Sequence, residues 1–325
     1  MPASANLLAD LLAEKGVLLA DGAMGTSLFA LGLEPGQAPE LWNEQHPELV
    51  AKLHRDFISA GADIILTNSF GGTHHRLKLH HAQDRVHSIN KMAAEICRAA
   101  ADEADRAIIV AGSVGPTGEL QMPLGALAYE GAVSAFVEQI EGLQAGGVDI
   151  VWIETMSSPH EIRAAAEAAV KVGLPYIYTA SFHAGGRTMT GVHPEDIHGI
   201  ATDIGDGPLA VGANCGAGPA DTLASLLFMT EADPAATVVV KSNCGIPESQ
   251  DGQLLYPGTP QLMADYARLA RDAGATIVGG CCGTSCEHLA AMRQALDDNP
   301  TGPRPSLETI IERMGPLYIE TIKED

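Results

Sequence analysis

The chain has 325 residues, of which 46% are hydrophobic and 4% aromatic, so aliphatic side chains must fill most of its core. Acidic residues outnumber basic ones by 41 to 19, and the formal charge of −22 argues against nucleic acid or an anionic membrane as a partner. No apolar run approaches the roughly 20 residues of a membrane span, and the first residues lack a signal-peptide pattern. We therefore expect a cytoplasmic protein whose six cysteines form no disulfide framework.

Short apolar runs alternate with helical segments along most of the chain. Residues 1–16 predict a short amphipathic helix, and segments of helical period such as 158–173 lie between the apolar runs. The runs are continuously apolar, which is typical of parallel strands covered on both faces. The eight predicted strands are VLLAD (17–21), DIILTN (63–68), AIIVAG (107–112), DIVWIE (149–154), YIYTAS (176–181), LAVGAN (209–214), TVVVKS (237–242) and TIVGG (276–280).

Glycine-rich and polar turns follow nearly every predicted strand. Eight strands alternating with helices can close into a barrel or form an open doubly wound sheet, but no G-x-G-x-x-G fingerprint follows the first strand. A barrel gathers all eight strand ends, with their polar turns, on one face. We therefore predict an α/β protein with a single domain, a (β/α)₈ TIM barrel over residues 1–299, and a C-terminal extension over residues 300–325 that is helical in its middle. Residues 71–90 are predicted to form a loop over the site and the start of a helix.

Cysteines stand at several of these turns, and the stretch GGCCGTSCEH (279–288) contains two side by side. A vicinal disulfide is strained, so a metal site, a redox couple or inert buried thiols remain as explanations for Cys281 and Cys282. Cys215 follows the sixth strand, whose end lies near that of the eighth in a barrel. Three converging thiolates can hold Zn²⁺ tetrahedrally and leave a fourth position open. A small buried thiol is the favoured interpretation of the other cysteines, which are Cys97, Cys244 and Cys286.

The order of the turn motifs resembles the zinc-dependent homocysteine S-methyltransferase family. The motifs are DGAMGT (21–26), AGADIILTNSF (60–70), GSVGPTGE (112–119), WIET (152–155), GANCG (212–216) and GGCCGT (279–284). The resemblance runs from about residue 12 to residue 295, and stand-alone bacterial betaine–homocysteine methyltransferases are the most similar members. It implies a (β/α)₈ barrel, in agreement with the strand count, and Zn²⁺ as a cofactor bound by Cys215, Cys281 and Cys282. Zinc deprotonates a bound thiol, so such a site would supply a sulfur nucleophile at neutral pH.

The same resemblance implies which residues bind homocysteine. Glu154, at the end of the fourth strand, is assigned to the substrate ammonium, and burial of a carboxylate without a task is costly. Asp21 and Gly22, after the first strand, and Thr67, after the second, match further homocysteine-contacting positions.

The fourth zinc position is not defined by the resemblance. Some family members have a tyrosine immediately after the glutamate, and this chain has Thr155 there. Asn214, beside Cys215, is therefore a further candidate ligand when substrate is absent.

Contacts to the methyl donor cannot be transferred residue by residue, because known betaine enzymes carry a tyrosine where this chain has Gly71. Aromatic faces and negative potential favour an onium methyl group, and a donor carboxylate requires a basic contact. The candidate donor contacts on loops of the active face are Trp42, Phe70, Tyr129, Tyr256, Arg76 and Lys78. The histidines expected on a solvated loop and helix surface rather than at a metal are His74, His75, His80, His81 and His87.

Together these patterns predict an enzyme that transfers a methyl group from a small onium donor, with glycine betaine favoured, to homocysteine and forms methionine. A first alternative takes the methyl group from a sulfonium such as dimethylsulfoniopropionate or S-methylmethionine, or from a separate methylcobalamin protein. A remote alternative is a non-catalytic zinc or redox-sensing protein. The sequence leaves the oligomeric state open, a homo-oligomer included.

Overall fold

Eight short parallel strands form a nearly closed barrel in the computed structural model, which describes residues 3–183, 186–246, 248–250 and 253–318. The strands are β1 (Leu18–Leu19), β2 (Ile64–Leu66), β3 (Ile109–Val114), β4 (Ile150–Met156), β5 (Tyr176–Ala180), β6 (Val211–Cys215), β7 (Val238–Ser242) and β10 (Ile277–Gly280). They pair in the order β1-β10-β7-β6-β5-β4-β3-β2, and a parallel bridge between Ala20 and Ile64 joins the two ends. The predicted (β/α)₈ barrel is confirmed, and every barrel strand overlaps its predicted run.

Helices cover the outside of the barrel and its N-terminal end. They are α1 (Ala3–Lys15), α2 (Met24–Ala30), α3 (Trp42–Gln45), α4 (Pro47–Ser59), α5 (His74–Lys78), α6 (Val86–Asp102), α7 (Tyr129–Ala145), α8 (Pro159–Val172), α9 (Pro219–Ala232), α10 (Pro260–Asp272), α11 (Cys286–Asp298) and α12 (Leu307–Met314). Proline at the first position begins α4, α8, α9 and α10, where its missing N–H costs no hydrogen bond. The predicted N-terminal helix is confirmed by α1, whose Leu8 and Leu11 pack against the barrel interior.

Two apolar layers explain why the strands are apolar on both faces. Side chains such as Ile64, Trp152 and Ile277 fill the barrel interior, while their neighbours in sequence, such as Ile65 and Val151, pack against the surrounding helices. Successive strand residues point to opposite faces, so a strand covered inside and outside reads as a continuous apolar run. Among the described residues, no helix is both long and apolar enough to cross a lipid bilayer.

A hairpin, a loop segment and a C-terminal extension add to the barrel. An antiparallel hairpin of β8 (Glu248–Gln250) and β9 (Gln253–Leu255) follows β7 and was not predicted. The segment predicted as a loop over the site contains α5, a short 3₁₀ helix (Gln83–Arg85) and the start of α6. The predicted extension contains α12, whose Ile310 is buried in the main core, while residues 319–325 lie outside the described part. The domain boundary at residue 299 stays a prediction.

Candidate metal centre and substrate cavity

A cavity of about 530 Å³ lies at the carboxyl ends of the strands, the end at which barrel enzymes carry their active sites. Part of its lining, the strand-end group, lies at or just after barrel strands. The strand-end group includes Asp21, Ser113, Glu154, Cys215, Lys241, Cys281 and Cys282. A second part, the loop group, lies in the segments that follow β1 and β2. The loop group comprises Glu40, Phe70, Gly71, Arg76 and His80.

The sulfur atoms of Cys215, Cys281 and Cys282 lie within 4.8 Å of one another. Cys215 ends β6 with a φ of 63°, a left-handed conformation that is uncommon outside glycine, and Gly216 continues the turn with a φ of 72°. The side chain of Asn243 connects the two thiol-bearing turns: its Oδ1 accepts from the backbone N–H of Cys282 at 3.1 Å, and its Nδ2 donates to the carbonyl of Gly216 at 2.7 Å. The predicted convergence of three thiols on one point is therefore present in the fold.

This donor set fits a zinc ion. Three sulfurs bound at about 2.3 Å to a tetrahedral Zn²⁺ lie about 3.8 Å apart, so a cluster within 4.8 Å requires only small adjustments. The pKa of the Cys215 thiol is raised to about 11. A hydrogen bond with Cys281 lowers this pKa, but a hydrogen bond with Cys282 and burial raise it by more. Metal ligands are thiolates, so binding of a divalent metal at these residues releases protons.

The remaining described cysteines lie outside this cluster. Cys97 is fully buried on α6, and burial raises its pKa well above the usual range. Cys244 is also fully buried, and its backbone N–H donates to the carbonyl of Cys282 at 2.8 Å. Cys286 is half-buried at the first position of α11. None of these three belongs to the group of sulfurs that could share one metal ion in the described part of the chain.

Asn214 and Tyr256 both lie beside the thiols. The amide oxygen of Asn214, the atom that would ligate a metal, accepts from the backbone N–H of Thr155 at 2.7 Å and from Thr179 Oγ1 at 2.6 Å. Its amide nitrogen lies 3.8 Å from Cys281 Sγ. Burial, together with the nearby thiol of Cys282, raises the pKa of the Tyr256 phenol. Tyr256 thus lies at the thiol cluster rather than in the loop group.

Glu154, Asp21 and Lys241 form a buried charged network in the wall of the cavity. Nζ of Lys241 lies 2.6 Å from Asp21 Oδ1 and 5.5 Å from the ring centroid of Trp152. The second oxygen of Asp21 accepts from the backbone N–H of Leu66 at 2.7 Å, so both oxygens of Asp21 are engaged. Burial lowers the pKa of Lys241, but attraction by Asp21 and Glu154 outweighs it and raises the pKa. Lys241 is therefore a cation that the sequence analysis did not select.

Hydroxyl and amide groups hold Glu154 and the carboxyl end of β2 in place. Oε1 of Glu154 accepts from Ser113 Oγ, and Oε2 accepts from Asn214 Nδ2 at 3.3 Å. Burial raises the pKa of Glu154, while Lys241 and Ser113 oppose that shift. The hydroxyl of Thr67 accepts from the backbone N–H of Ser113 at 3.0 Å and lies at the cavity wall. Gly22 also lines the cavity, where a Cβ atom would lie 2.5 Å from a backbone oxygen.

The loop group contains both charge signs. Oε1 of Glu40 accepts from the backbone N–H of Gly71 at 2.6 Å, and the Glu40 side chain is 5% exposed. Burial raises the pKa of Glu40, and the charges of Arg76 and His80 lower it. Phe70 adds an aromatic ring to the cavity wall. Of the predicted donor contacts, the structure brings Phe70 and Arg76 to the cavity.

Three other predicted donor contacts lie elsewhere. Trp42 is 5% exposed and packs with Leu28 and Val50 in a separate hydrophobic cluster, because α2, α3 and α4 turn their apolar faces towards one another. The hydroxyl of Tyr129 donates to Glu167 on α8 at 2.9 Å, and Lys78 is exposed at the end of α5.

The histidine-rich segment is not uniformly solvated as expected. His81 and His87 are exposed, but His80 lines the cavity. Nδ1 of His75 is buried and has no hydrogen-bond partner among the described residues, and burial lowers the pKa of the ring.

Two functional candidates were missed for different reasons. Lys241 follows the apolar residues of TVVVKS, and a charge at the end of a buried strand is a feature that it shares with Glu154. Glu40 lies between Pro39 and Leu41 in a short 3₁₀ helix, and no pattern in the sequence indicates that it is buried.

Comparison with known proteins relates this site to one family. The family described as homocysteine S-methyltransferase matches residues 18–296. Methionine synthase from Mycobacterium tuberculosis is 31% identical over 310 residues, which is 89% of this chain and 25% of that protein. Methionine synthase from Mycobacterium leprae is 30% identical over 298 residues, which is 86% of this chain and 24% of that protein. The chain thus spans about a quarter of the length of the curated relatives it matches.

Solved structures support the same relationship. The metallated form of the homocysteine methyltransferase MmuM from Escherichia coli has a TM-score of 0.73 and 25% identity, covering 88% of this chain and 99% of that one. Its oxidised form has the same TM-score at 27% identity. The family match extends from β1 to α11 and includes the three thiols, the buried carboxylates and the cavity between them. By this match and by its fold, the chain belongs to the homocysteine S-methyltransferase family.

Proposed function

We propose that the protein transfers a methyl group from glycine betaine to the sulfur of homocysteine and so forms methionine. The observation that carries this proposal is the meeting of three thiols within 4.8 Å in a cavity that also contains the buried carboxylate of Glu154. A metal there and an ammonium at Glu154 would hold the two ends of one amino acid thiol. The family match supports homocysteine as that amino acid.

Cys215, Cys281 and Cys282 would hold Zn²⁺, and Asn243 and Gly216 would keep their turns in place. Zinc bound there would act as a soft Lewis acid that lets a substrate thiol ionise at neutral pH. The donor set is open towards the cavity, as expected for a catalytic rather than a structural site.

Glu154 would orient homocysteine by accepting hydrogen bonds from its ammonium, while Ser113 and Asn214 fix the carboxylate. Lys241 neutralises Asp21, which leaves Glu154 as the carboxylate available for the substrate. The substrate sulfur would then attack a donor methyl carbon in line and form the new C–S bond. The C–N bond breaks, the amine leaves with the electron pair as dimethylglycine, and the proton lost by the thiol finally resides on that amine.

A second methyl source has a specific observation in its favour. The methionine synthases that match this chain are about four times longer, so a homocysteine domain of this kind also occurs together with further sequence. A separate methylcobalamin protein is therefore the second candidate donor, and sulfonium compounds are the third. A closed structural or redox-sensing zinc site is less well supported, since Cys244 and Cys286 lie outside the thiol cluster.

One experiment separates these donors. Purified zinc-loaded protein is incubated with homocysteine and, in separate reactions, glycine betaine, dimethylsulfoniopropionate or S-methylmethionine, without any cobalamin protein, and methionine is measured. We expect betaine to give the highest rate. A sulfonium rate 100-fold above the betaine rate would overturn the betaine assignment, and methionine formation only after addition of a methylcobalamin protein would support the second candidate.

A further inference from the structure

The charge of Arg76 in the loop group acts on Glu40 from a distance, but the side chain makes no direct ion pair among the described residues. Its guanidinium lines the cavity and is half-buried, and it makes no ion pair or side-chain hydrogen bond within the part of the chain that the structure describes. Its terminal atoms lie close to Gly118, where a Cβ atom would be 3.2 Å from Nη1. Glycine at that position therefore leaves room for the guanidinium at the cavity wall.

Glu40 places a negative charge at the same wall. Glu40 is 5% exposed, and the backbone N–H of Gly71 donates to its Oε1 at 2.6 Å. A Cβ atom at Gly71 would lie only 3.0 Å from that oxygen, so the absence of a side chain at residue 71 makes space for Glu40. Backbone N–H groups and the charges of Arg76 and His80 favour the ionised form of Glu40, but none of them forms a direct ion pair with it. A buried carboxylate without a direct ionic partner can still gain from a cationic ligand.

The pair of opposite charges selects a class of ligand. We propose that the loop group binds a zwitterionic onium carboxylate, with Glu40 attracting the methyl-bearing cationic head and Arg76 attracting the carboxylate. Phe70 lies in the same wall, and aromatic rings attract onium methyl groups through their negative faces. This inference rests on the proposed function, because it concerns the donor of the same reaction. It predicts that a cation alone or a carboxylate alone binds more weakly than a molecule that carries both.

Three compounds of nearly the same shape test the inference. Glycine betaine carries both charges, 3,3-dimethylbutanoate carries only the carboxylate, and choline carries only the cation. Each is titrated by calorimetry into zinc-loaded protein without homocysteine. If binding requires homocysteine, the same compounds are compared as substrates or competitive inhibitors of methionine formation. We expect betaine to bind at least tenfold more tightly than either singly charged compound.

Two variants should lose opposite halves of the preference for betaine, a result called the crossed pattern below. Glu40→Gln retains an oxygen that can accept from Gly71 but removes the charge, so betaine should bind no better than 3,3-dimethylbutanoate. Arg76→Met should make betaine bind no better than choline, and Arg76→Lys should restore part of the preference. The matched controls are Glu48→Gln and Lys78→Met, which remove the same charges from exposed positions nearby.

A purely structural role for these residues would weaken all three compounds equally, and that result would overturn the inference. An unchanged preference in both variants, or equal affinity of the unaltered protein for all three compounds, would overturn it as well. Failure of the proposed function can be told apart from failure of this inference. If the two variants change the binding preferences as expected but no methionine forms, only the methyl transfer is contradicted. Normal methionine formation without the crossed pattern contradicts only the inference.

Discussion

The strand-end group and the loop group line one cavity, but they are built differently. Residues of the strand-end group are placed by barrel register and satisfied by one another, as Lys241 is by Asp21 at 2.6 Å and Glu154 by Ser113. In the loop group, Glu40 is held by backbone N–H groups, that of Gly71 among them, and neither Glu40 nor Arg76 makes an ion pair among the described residues. Side chains that are paired with one another on barrel strands suit the binding of homocysteine, the substrate common to the family. Side chains on loops with fewer direct partners suit recognition of the methyl donor.

Loss of one thiol of the strand-end group should have the largest effect on metal content and activity. We expect Cys282→Ala to lose its zinc, from about one ion per chain to nearly none, together with methionine formation, because two thiolates hold the ion poorly. Metal content by mass spectrometry and the methionine assay check this. Cys286→Ala, which removes a thiol outside the cluster, should keep both, and full zinc in Cys282→Ala would contradict the ligand assignment.

The buried ion pair of Lys241 should matter mainly for stability. Lys241→Met leaves Asp21 charged and without its ionic partner at 1% exposure, and removal of one partner of a buried pair costs about 3–5 kcal/mol. Urea unfolding should show this loss. The double variant Lys241→Met/Asp21→Asn should recover most of it, because no unpaired charge remains. A loss in Lys241→Met that the double variant does not recover would show that packing rather than charge is responsible.

Substitution of Glu154 should change the KM for homocysteine but not the KM for the methyl donor. Such a result would sharpen the difference between the strand-end group and the loop group. Glu154→Gln removes a charge-assisted hydrogen bond of about 1.5–3 kcal/mol, so the KM for homocysteine should rise by roughly 10- to 150-fold. Zinc content and the KM for betaine should change little. Glu167→Gln, on the helix that follows the same strand, is the matched control. An unchanged KM for homocysteine would place its ammonium elsewhere.

The two groups also differ in how far they could be predicted from the sequence. Strand ends are visible as apolar runs that finish in polar residues, so the positions of Cys215, Cys281 and Glu154 follow from counting eight strands around a barrel. The loop group depends on how α5 and the 3₁₀ helix that carries Glu40 pack at the cavity. Such short elements have only weak signals in the sequence. For that reason Trp42 was expected at the site although it packs between helices, and buried Glu40 was not expected there.

The polar side chains that hold the site residues in place could not be predicted from the sequence either. Asn243 connects the turns of Cys215 and Cys282, which are more than 60 residues apart in sequence, and Gln139 on α7 donates to the carbonyl of Ser69 at 2.7 Å. Such contacts depend on side-chain directions that only the closed barrel defines. Hydrogen-bond partners far apart in sequence leave no spacing pattern in a single chain.

The smallest expected effect is a pH dependence that belongs to the loop group alone. Burial raises the pKa of Glu40, so its carboxylate takes up a proton at a higher pH than an exposed glutamate does. A cationic head is attracted only by the ionised form, so the KM for betaine should rise severalfold as the pH falls through that raised value. The charges of Arg76 and His80 oppose the shift and so lower the pH at which the rise in KM occurs. Measured at saturating homocysteine, the rise should be present in the unaltered protein and absent in Glu40→Gln, whose KM is already high at every pH. The same rise in Glu40→Gln would assign the titration to another group and would remove the distinction between the two parts of the cavity on which the donor proposal depends.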